Sequence, residues 1–257
     1  MSAIVYRGRP TSYDLAVSRG LVPGVAAFRK FGANGAIAAN ATYIGSVSTV
    51  TSVPHMLSAP TTMEAIGVNA TDTVSTAGAR TVTIFGLNSN WDATSEIVDL
   101  AGVSSSPLTS TLFYRVYRTF VNGVGTYRGT NVSALTVRTS TGQACVGIKA
   151  GYGQTEGSHY TVPAGYSLYI KDVHLQVSAT KKVDIQFWQA PNANDLTVVY
   201  SGAKRIVEDY VGVTGQVDFE YTPYLKYPAY TDMWLTGSAA AGGGEASVEY
   251  NGYLVQE

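Results

Sequence analysis

The sequence predicts an all-β protein: an antiparallel β-sandwich or jelly-roll body that follows an extended N-terminal arm with one short helix. Three observations support this fold class. From about residue 41 onward, short segments alternate apolar and polar side chains with a period of two. Turn-rich pieces of Gly, Ser, Asn and Pro separate these segments at fairly even intervals. After the N-terminal helix, no segment keeps a convincing helical period, which disfavours α/β alternation.

One short helix is predicted near the N-terminus, in TSYDLAVSRG. Thr11 or Ser12 is a suitable N-cap, and Asp14 falls in the first turn. Arg19 falls in the last turn, and Gly20 takes the C′ position. A helix of about two turns is marginal alone in water, so we expect it to dock on another surface.

Residues 1–40 are predicted to be a docking arm. Glycine and proline interrupt its apolar residues, which indicates an extended chain that presents anchors to a partner. Residues 41–257 are then expected to form one β-sandwich body, which folds without residues 1–36. The predicted partner-docking residues are Leu21, Val22, Pro23, Val25, Phe28, Lys30 and Phe31.

The predicted strands of the body carry β-branched and aromatic residues. Residues 79–88, ARTVTIFGLN, place β-branched residues on both faces. Residues 112–121, LFYRVYRTFV, place Arg115 and Arg118 on opposite faces because their spacing is odd. Further strands are predicted in ALTVRTS, ACVGIKA, SLYIKDVHLQVSA, KVDIQFWQA, LTVVYSG, QVDFEYT, DMWLTGS and ASVEYNGYLVQ.

The stretch YTVPAGYSLYI combines a turn with the start of a strand. Pro163 presets φ for the second position of a turn, and Gly165 can take the positive φ that a type II turn requires. After the turn, Tyr166, Leu168 and Ile170 are two residues apart and so share one face of the strand. Strand geometry therefore explains the residue types of this stretch.

Charge and composition limit the classes of partner. The 257 residues include 17 Lys and Arg and 18 Asp and Glu, a net charge of −1, so the chain lacks a general attraction for nucleic acid or acidic lipid. We expect neither a nucleic-acid nor a membrane partner. Charged residues make up 14% of the chain, against about 25% in average proteins, which indicates a surface buried against other subunits, although a β protein with many turns gives part of the same signal. The composition therefore predicts a homo-oligomer.

Cysteine usage and the first residues bear on redox chemistry and export. Cys145 is the single cysteine, which excludes an internal disulfide and a cysteine-based zinc site. The first residues lack the apolar region of a secretory signal, and no apolar run approaches the ~20 residues that span a bilayer. We expect a protein that is not exported by the Sec route.

The sequence predicts no catalytic, cofactor-binding or metal-binding residue. His55, His159 and His174 are scattered and lack the spacing of a metal-ligand pair. The nucleophile elbow G-x-S-x-G does not occur. The glycine-rich stretches GVGTYRG and GYGQTEG lie between predicted strands, where no helix N-terminus would hold a phosphate.

Asp218 and Glu220 keep one enzymatic alternative open. Glycan cleavage needs two carboxylates about 5 to 10 Å apart, and these two share one face of a predicted strand. Solvated acids at this spacing are also ordinary on the outside of a sandwich. A glycan depolymerase is therefore the weakest of the functions considered.

The densest aromatic segment, FEYTPYLKYPAYTDMWL, raises the alternative of glycan binding. Aromatic rings stack on sugar faces and donate hydrogen bonds at their rims. The opposing interpretation, which we favour, is a proline-punctuated loop whose rings pack on the sandwich or on a neighbouring subunit. The candidate residues for a glycan or subunit contact are Tyr221, Tyr224, Tyr227, Tyr230 and Trp234.

Several short motifs follow one another along the first two thirds of the chain. The N-terminal module has the pattern Gly-x-Val-Pro-Gly followed by Lys-Phe-Gly-x-Asn, within residues 20–34. The body then has a Gly-Leu-Asx turn, an Arg-x-x-Arg strand and the turn Tyr-Thr-Val-Pro-Ala-Gly. In this order the motifs resemble those of tailed-bacteriophage virion proteins, notably of marine and environmental phages, and the resemblance covers most of residues 15–175.

The resemblance implies a non-enzymatic structural role in a virion, with no cofactor and no catalytic residue. The expected function is a self-assembling virion protein, made in the host cytoplasm and anchored through its N-terminal arm to other virion proteins. A place at the neck or tail is slightly favoured over capsid decoration. The main alternative is a receptor-binding or glycan-binding attachment protein that contacts a host-surface glycan.

Overall fold

The computed structural model describes residues 4–6, 9–46, 56–195, 203–240 and 243–257. Its architecture is all-β with one short helix and antiparallel sheets, which confirms the predicted fold class. Two β-sandwiches carry the chain, and each encloses its own hydrophobic core.

The strands are numbered β1 to β17 in chain order. They are β1 Ile4–Tyr6, β2 Arg9–Thr11, β3 Val25–Ile37, β4 Thr42–Tyr43, β5 Met63–Gly67, β6 Ala79–Asn88, β7 Ala93–Asp99, β8 Phe113–Val124, β9 Leu135–Thr139, β10 Ala144–Ile148, β11 Tyr160–Thr161, β12 Tyr166–Val177, β13 Val183–Ala190, β14 Arg205–Val213, β15 Gly215–Tyr227, β16 Asp232–Ser238 and β17 Gly244–Gln256.

The helix α1 spans Tyr13–Ser18 and has the predicted caps. The backbone N–H of Leu15 donates to Ser12 Oγ at 3.3 Å, and Gly20 follows with a φ of +68°. The helix buries Ala16 and Val17 on its own chain. The surface on which it docks is therefore β3 and the neighbouring strands.

The first unit, which we name the terminal sandwich, is built from both ends of the chain. One sheet has the strand order β15-β12-β17-β3, and the other has the order β11-β16-β13-β14 with β4 beside β16. Alternate side chains of the two sheets face each other, and they include Leu168, Ile170 and Val173 of β12 and Phe187 of β13, all fully buried.

The second unit, the inserted sandwich, contains β5 to β10 and lies in the chain between β4 and β11. Its sheets have the orders β10-β9-β5 and β7-β6-β8. The core between them includes Ile84 of β6, Phe113 of β8, Val137 of β9 and Val146 of β10. These strands bury one side of each sheet, which is the pattern that the alternating sequence predicted.

The division of the chain differs from the expected arm and single body. Strand β3, within the expected arm of residues 1–40, pairs with β17 from Val25 to Ile37. Residues 41–257 are shared between two cores. The physical reason is that β3 and β17 together complete a sheet, so a deletion of residues 1–36 would remove an edge strand of the terminal sandwich.

The turn before β12 has the predicted geometry in part. Leu168 and Ile170 are buried on one face, as predicted. Gly165 has a φ of +72°, and the N–H of Tyr166 donates to the carbonyl of Pro163 at 3.4 Å. This hydrogen bond places Pro163 at the first position of the turn, not at the predicted second position. Gly165 takes the third position, where a type II turn has the predicted positive φ.

Sequence patterning missed eight of these strands. Strand β3 was expected as unpaired extended chain, and the other seven that were not predicted are β1, β2, β4, β5, β7, β11 and β14. The predicted strand LTVVYSG, residues 196–202, lies outside the described residues. Within the described part of the chain, no helix has the length and apolarity to span a membrane.

Candidate functional site

The predicted docking residues divide between the surface and the interior. Pro23 is exposed, whereas Leu21 and Val22 are half-buried. Phe28 contacts the rings of Tyr160, at a centroid distance of 4.7 Å, and Tyr250 in the core of the terminal sandwich. Phe28 therefore packs inside its own chain, whereas the turn after α1 lies at the surface.

Lys30 also faces the interior and is only 7% exposed. Its ammonium donates to the carbonyl of Tyr117 at 2.5 Å and lies 5.6 Å from the centroid of the Tyr117 ring. Successive side chains of a strand point to opposite sides, so Arg29 and Phe31 face outward while Phe28 and Lys30 face inward. This alternation corrects the expectation that Phe28 and Lys30 contact a partner.

The helix supplies exposed apolar side chains that the sequence analysis did not single out. Leu15 is 49% exposed and Tyr13 is 45% exposed. Because Ala16 and Val17 take the inner side of α1, Leu15 must point outward. We name the exposed parts of Tyr13, Leu15 and Pro23 the helix surface. Tyr13 and Leu15 lie on different sides of α1, and the ring of Tyr13 also packs edge-on against Tyr253, with centroids 5.4 Å apart.

The five aromatic residues near the C-terminus do not form one surface. Tyr227 and Trp234 are each 2% exposed. Trp234 stacks on Trp188, with ring centroids 6.2 Å apart. Tyr224 is exposed and contacts Tyr253 of β17.

The remaining two rings of this set also pack on the chain itself. The hydroxyls of Tyr221 and Tyr210 lie 2.5 Å apart at the edge of the core. Tyr230 makes an edge contact with Trp91, with centroids 5.9 Å apart. The five residues point in different directions because they alternate along β15, lie in the turn before β16, or belong to β16 itself. Four of the five rings pack within the sandwich, as the favoured interpretation predicted, and Tyr224 is exposed.

The junction between the sandwiches contains a buried ion pair. Arg115 of β8 and Asp232 of β16 have side chains that are 3% and 5% exposed, and their closest atoms are 2.8 Å apart. Thr161 donates to the same carboxylate at 2.6 Å. The Arg115 guanidinium also donates to the carbonyl of Leu57 and lies 4.9 Å from the Trp91 ring. A buried charge pair with these additional hydrogen bonds fixes one sandwich on the other.

His159 is the second buried polar group of the junction. Its Nε2 lies 2.8 Å from the carbonyl of Val116, and its Nδ1 lies 2.5 Å from the hydroxyl of Tyr43. A carbonyl can only accept, so Nε2 carries the proton and Nδ1 accepts from Tyr43. Burial, together with the positive charge of Lys30, lowers the pKa of His159 to about 3. His159 is thus a neutral structural residue.

The outer side of the β15-β12-β17-β3 sheet carries a row of charged side chains, which we name the polar face. Arg29 of β3 pairs with Glu249 of β17 at 2.5 Å. On β12, a register shift between Ile170 and Asp172 turns Asp172 outward. The polar face comprises Arg29, Asp172, His174, Asp218, Glu220, Glu249 and Asn251.

His174 lies between two carboxylates on the polar face. Its Nδ1 is 2.8 Å from Asp218 and its Nε2 is 3.0 Å from Asp172. The hydrogen bond to Asp218 and the nearby negative charges raise the pKa of His174, and the same hydrogen bond lowers the pKa of Asp218. Asp218 therefore favours its ionised form, which is opposite to the requirement for a general acid beside Glu220.

A groove begins where the polar face meets β8 and the segment after β10. This junction groove has a volume of about 610 Å³, and its lining includes Arg29, Arg118, Gln154, Gln176 and Gln216. A smaller cavity of about 70 Å³ is lined by Lys30 and Tyr117. The two share Arg29, Phe31 and Arg118 and are therefore adjacent.

Sequence reasoning missed two features of the site: the burial of Lys30, and the position of Arg118 in the lining of the junction groove. The odd spacing of Arg115 and Arg118 predicted opposite faces, but not which arginine would be buried. Among the described residues, no group of three or more His, Cys, Asp and Glu side chains is arranged to hold a metal ion. His55 lies outside the described residues.

Comparisons with known proteins give no family assignment. No protein-family model matches the chain, and no curated protein matches its sequence. The chain is similar to the VP2 subviral particle structure of infectious bursal disease virus, with a TM-score of 0.23, 8% identity, and coverage of 80% of this chain and 74% of that one. A structure of the Gt strain of the same virus gives a TM-score of 0.20 and 8% identity, with coverage of 90% and 74%.

Proposed function

We propose that this chain is a non-enzymatic structural protein of a tailed-bacteriophage virion. It assembles as a homo-oligomer and is attached to other virion proteins through its N-terminal segment. A position at the neck or tail is favoured over capsid decoration. The ordered motifs within residues 15–175 support the assignment to a virion, and the all-β architecture is compatible with it.

The observation that carries this proposal is the helix surface. Tyr13 and Leu15 are about half exposed at the end of a six-residue helix that is itself held on the sheet. Asp14 accepts a hydrogen bond from Tyr253 and pairs with Lys171, which fixes the orientation of α1. An apolar surface presented on a fixed element is suited to docking, because little conformational entropy is lost on binding.

The inserted sandwich supplies the surface proposed for self-assembly. Its exposed apolar residues include Val68, Val74, Val103 and Val132. The loops that carry them are tied together at Asp72, whose carboxylate accepts from the N–H of Val132 and whose carbonyl accepts from the N–H of Gly102. In a chain with 14% charged residues, such a surface fits a contact between subunits.

The test is incorporation into particles when the natural protein is replaced by variants. Tyr13→Ser combined with Leu15→Ser is expected to lower the copy number about tenfold or more, since each large side chain contributes roughly 1.5 to 3 kcal/mol when fully buried. Val211→Ser is the matched control, because Val211 is 75% exposed on β14. Normal incorporation of the double variant would contradict docking through the helix surface.

The test of self-assembly is the molar mass in solution. We expect the purified chain to be an oligomer, and Val74→Glu combined with Val103→Glu to shift it towards the monomer, because each change would bury a charge at the contact. A monomeric wild-type chain at micromolar concentration would contradict self-assembly. Glycan binding remains the second candidate function, and glycan cleavage by Asp218 and Glu220 the weakest.

A further inference from the structure

We propose that the junction groove and the small cavity beside Lys30 form a binding site for a saccharide that carries a carboxylate. The carboxylate would lie between Lys30 and Arg118, and the sugar rings would occupy the groove. This inference does not depend on the proposed role in a virion, because it uses a different part of the molecule from the helix surface.

The first step is the buried amine of Lys30. Within the described chain, no carboxylate lies within ion-pair distance of its ammonium, although the side chain is only 7% exposed. The carbonyl and ring of Tyr117 are its contacts, and neither carries a full negative charge. Buried lysines are normally paired, so this one lacks an anion.

The second step is Arg118, which lines the same small cavity. Its guanidinium donates to Gln154 at 3.0 Å, and none of the described carboxylates pairs with it. The other charged groups at the groove have partners: Glu249 pairs with Arg29, Glu156 pairs with Lys149, and His174 lies between Asp218 and Asp172. An incoming carboxylate would thus meet Arg118 and the amine of Lys30, two basic groups that the chain leaves without an acidic partner, and its charge would favour the protonated form of Lys30.

The third step is the size of the two spaces. A water molecule takes about 30 Å³ of liquid volume, so the cavity of about 70 Å³ holds a group of carboxylate size. The groove of about 610 Å³ falls within the range of roughly 300 to 1,000 Å³ that is typical of small-molecule sites. The spaces fit a charged group attached to one or two sugar rings.

The lining favours a saccharide over an acidic peptide. Gln154, Gln176 and Gln216 offer amide donors and acceptors for sugar hydroxyls, and Phe31 offers an apolar ring where cavity and groove meet. The acidic residues Glu156 and Glu249 also line the groove, and they would repel further negative charges. The site is therefore suited to a ligand with a single carboxylate among neutral polar groups.

The test is calorimetric titration of the full-length protein with matched oligosaccharides. The probes are one with a terminal sialic acid, one with a terminal glucuronic acid, and the neutral counterpart of each; sodium acetate and polyglutamate serve as further probes. We expect at least one acidic oligosaccharide to bind about tenfold or more tightly than its neutral counterpart, acetate or polyglutamate, which corresponds to about 1.4 kcal/mol.

The variants locate the site. Arg118→Gln and Lys30→Met are each expected to weaken binding of the acidic oligosaccharide about tenfold or more. Lys171→Met is the control, because Lys171 belongs to the same sheet but pairs with Asp14 outside the groove. Arg118 is exposed, so Arg118→Gln decides the question if Lys30→Met does not fold.

Three results would overturn the proposal. They are no binding of either acidic oligosaccharide, equal binding of a neutral counterpart or of polyglutamate, and full binding by Arg118→Gln. None of these results would bear on docking through the helix surface.

Discussion

Arg115 and Asp232 join the two sandwiches through a pair of parallel hydrogen bonds. The guanidinium Nε donates to one carboxylate oxygen at 2.9 Å, and Nη2 donates to the other at 2.8 Å. Both side chains are almost fully buried. The ion pair lies between β8 of one unit and β16 of the other, so the two sandwiches form one body at this contact.

Removing one partner of this pair should strongly destabilise the protein. Arg115→Met leaves the Asp232 carboxylate buried without a cation, which typically costs about 3 to 5 kcal/mol of the free energy of unfolding. Arg29→Met is the control, since Arg29 is 69% exposed and its pair with Glu249 is expected to contribute about 1 kcal/mol or less. Urea unfolding measures both. Equal losses in the two variants would contradict the structural role of Arg115.

Lys30 should make the stability of the protein rise with pH above neutrality. Burial, together with the charge of Arg118, lowers its pKa from 10.5 to about 7. Between these values the unfolded chain holds a proton that the folded chain has released, so the free energy of unfolding rises by about 1.4 kcal/mol per pH unit from this group. Denaturation of wild type and Lys30→Met at pH 7, 8 and 9 isolates the contribution. Parallel pH profiles of the two proteins would refute it.

His159 should destabilise the protein as the pH falls. Its pKa is lowered from 6.5 to about 3, so in this window the unfolded chain binds a proton that the folded chain does not. As the pH falls through this window, the free energy of unfolding of the wild type is expected to decrease by up to about 1.4 kcal/mol per pH unit relative to that of His159→Gln.

His174 provides the matched comparison for this measurement. Its pKa is raised, so its contribution to stability is fully present below the unfolded value of 6.5 and is lost as the pH rises through the folded value. The difference between wild type and His174→Gln should therefore have the opposite sign of pH dependence. Unfolding experiments between pH 4 and 8 separate the two residues, and the same sign for both would be inconsistent with these environments.

An added methyl group should destabilise the protein at Gly252 but not at Gly35. Gly252 of β17 lies opposite Ile170 of β12, and an added Cβ would overlap the carbonyl of Tyr169. Gly35 of β3 has no atom within 4 Å of the corresponding position. We expect Gly252→Ala to cost about 1 to 3 kcal/mol and Gly35→Ala less than about 0.5 kcal/mol. Thermal unfolding of the two variants checks the difference, and similar melting temperatures would count against the pairing of β12 with β17.

Local patterns predicted much of the secondary structure. The segment ARTVTIFGLN is strand β6, and DMWLTGS is strand β16. The caps of α1 were predicted from Ser12 and Gly20, because capping depends on side chains and φ values within a few residues. Strand β14 was missed because its residues, RIVEDYVGV, do not alternate cleanly between apolar and polar.

The candidate site was much less predictable. Asp218 and His174 are 44 residues apart, and their contact depends on the register of β12 with β15. The segment of Lys30 was expected at the surface, since its punctuation by glycine and proline is typical of an arm. The pairing of β3 with β17, which brings the two ends of the chain together, decided that Lys30 is buried.

The sequence by itself determined the all-β class, the capped helix, the turn at Gly165 and the buried face of β12 with Leu168 and Ile170. These features depend on side-chain alternation and on φ preferences of neighbouring residues. Only the tertiary structure decided that the described residues form two main cores, that Arg115 meets Asp232, and that five aromatic residues point in different directions. Those features depend on which strands pair and in what register, and the contacts between distant residues that select one pairing are not encoded in any short segment.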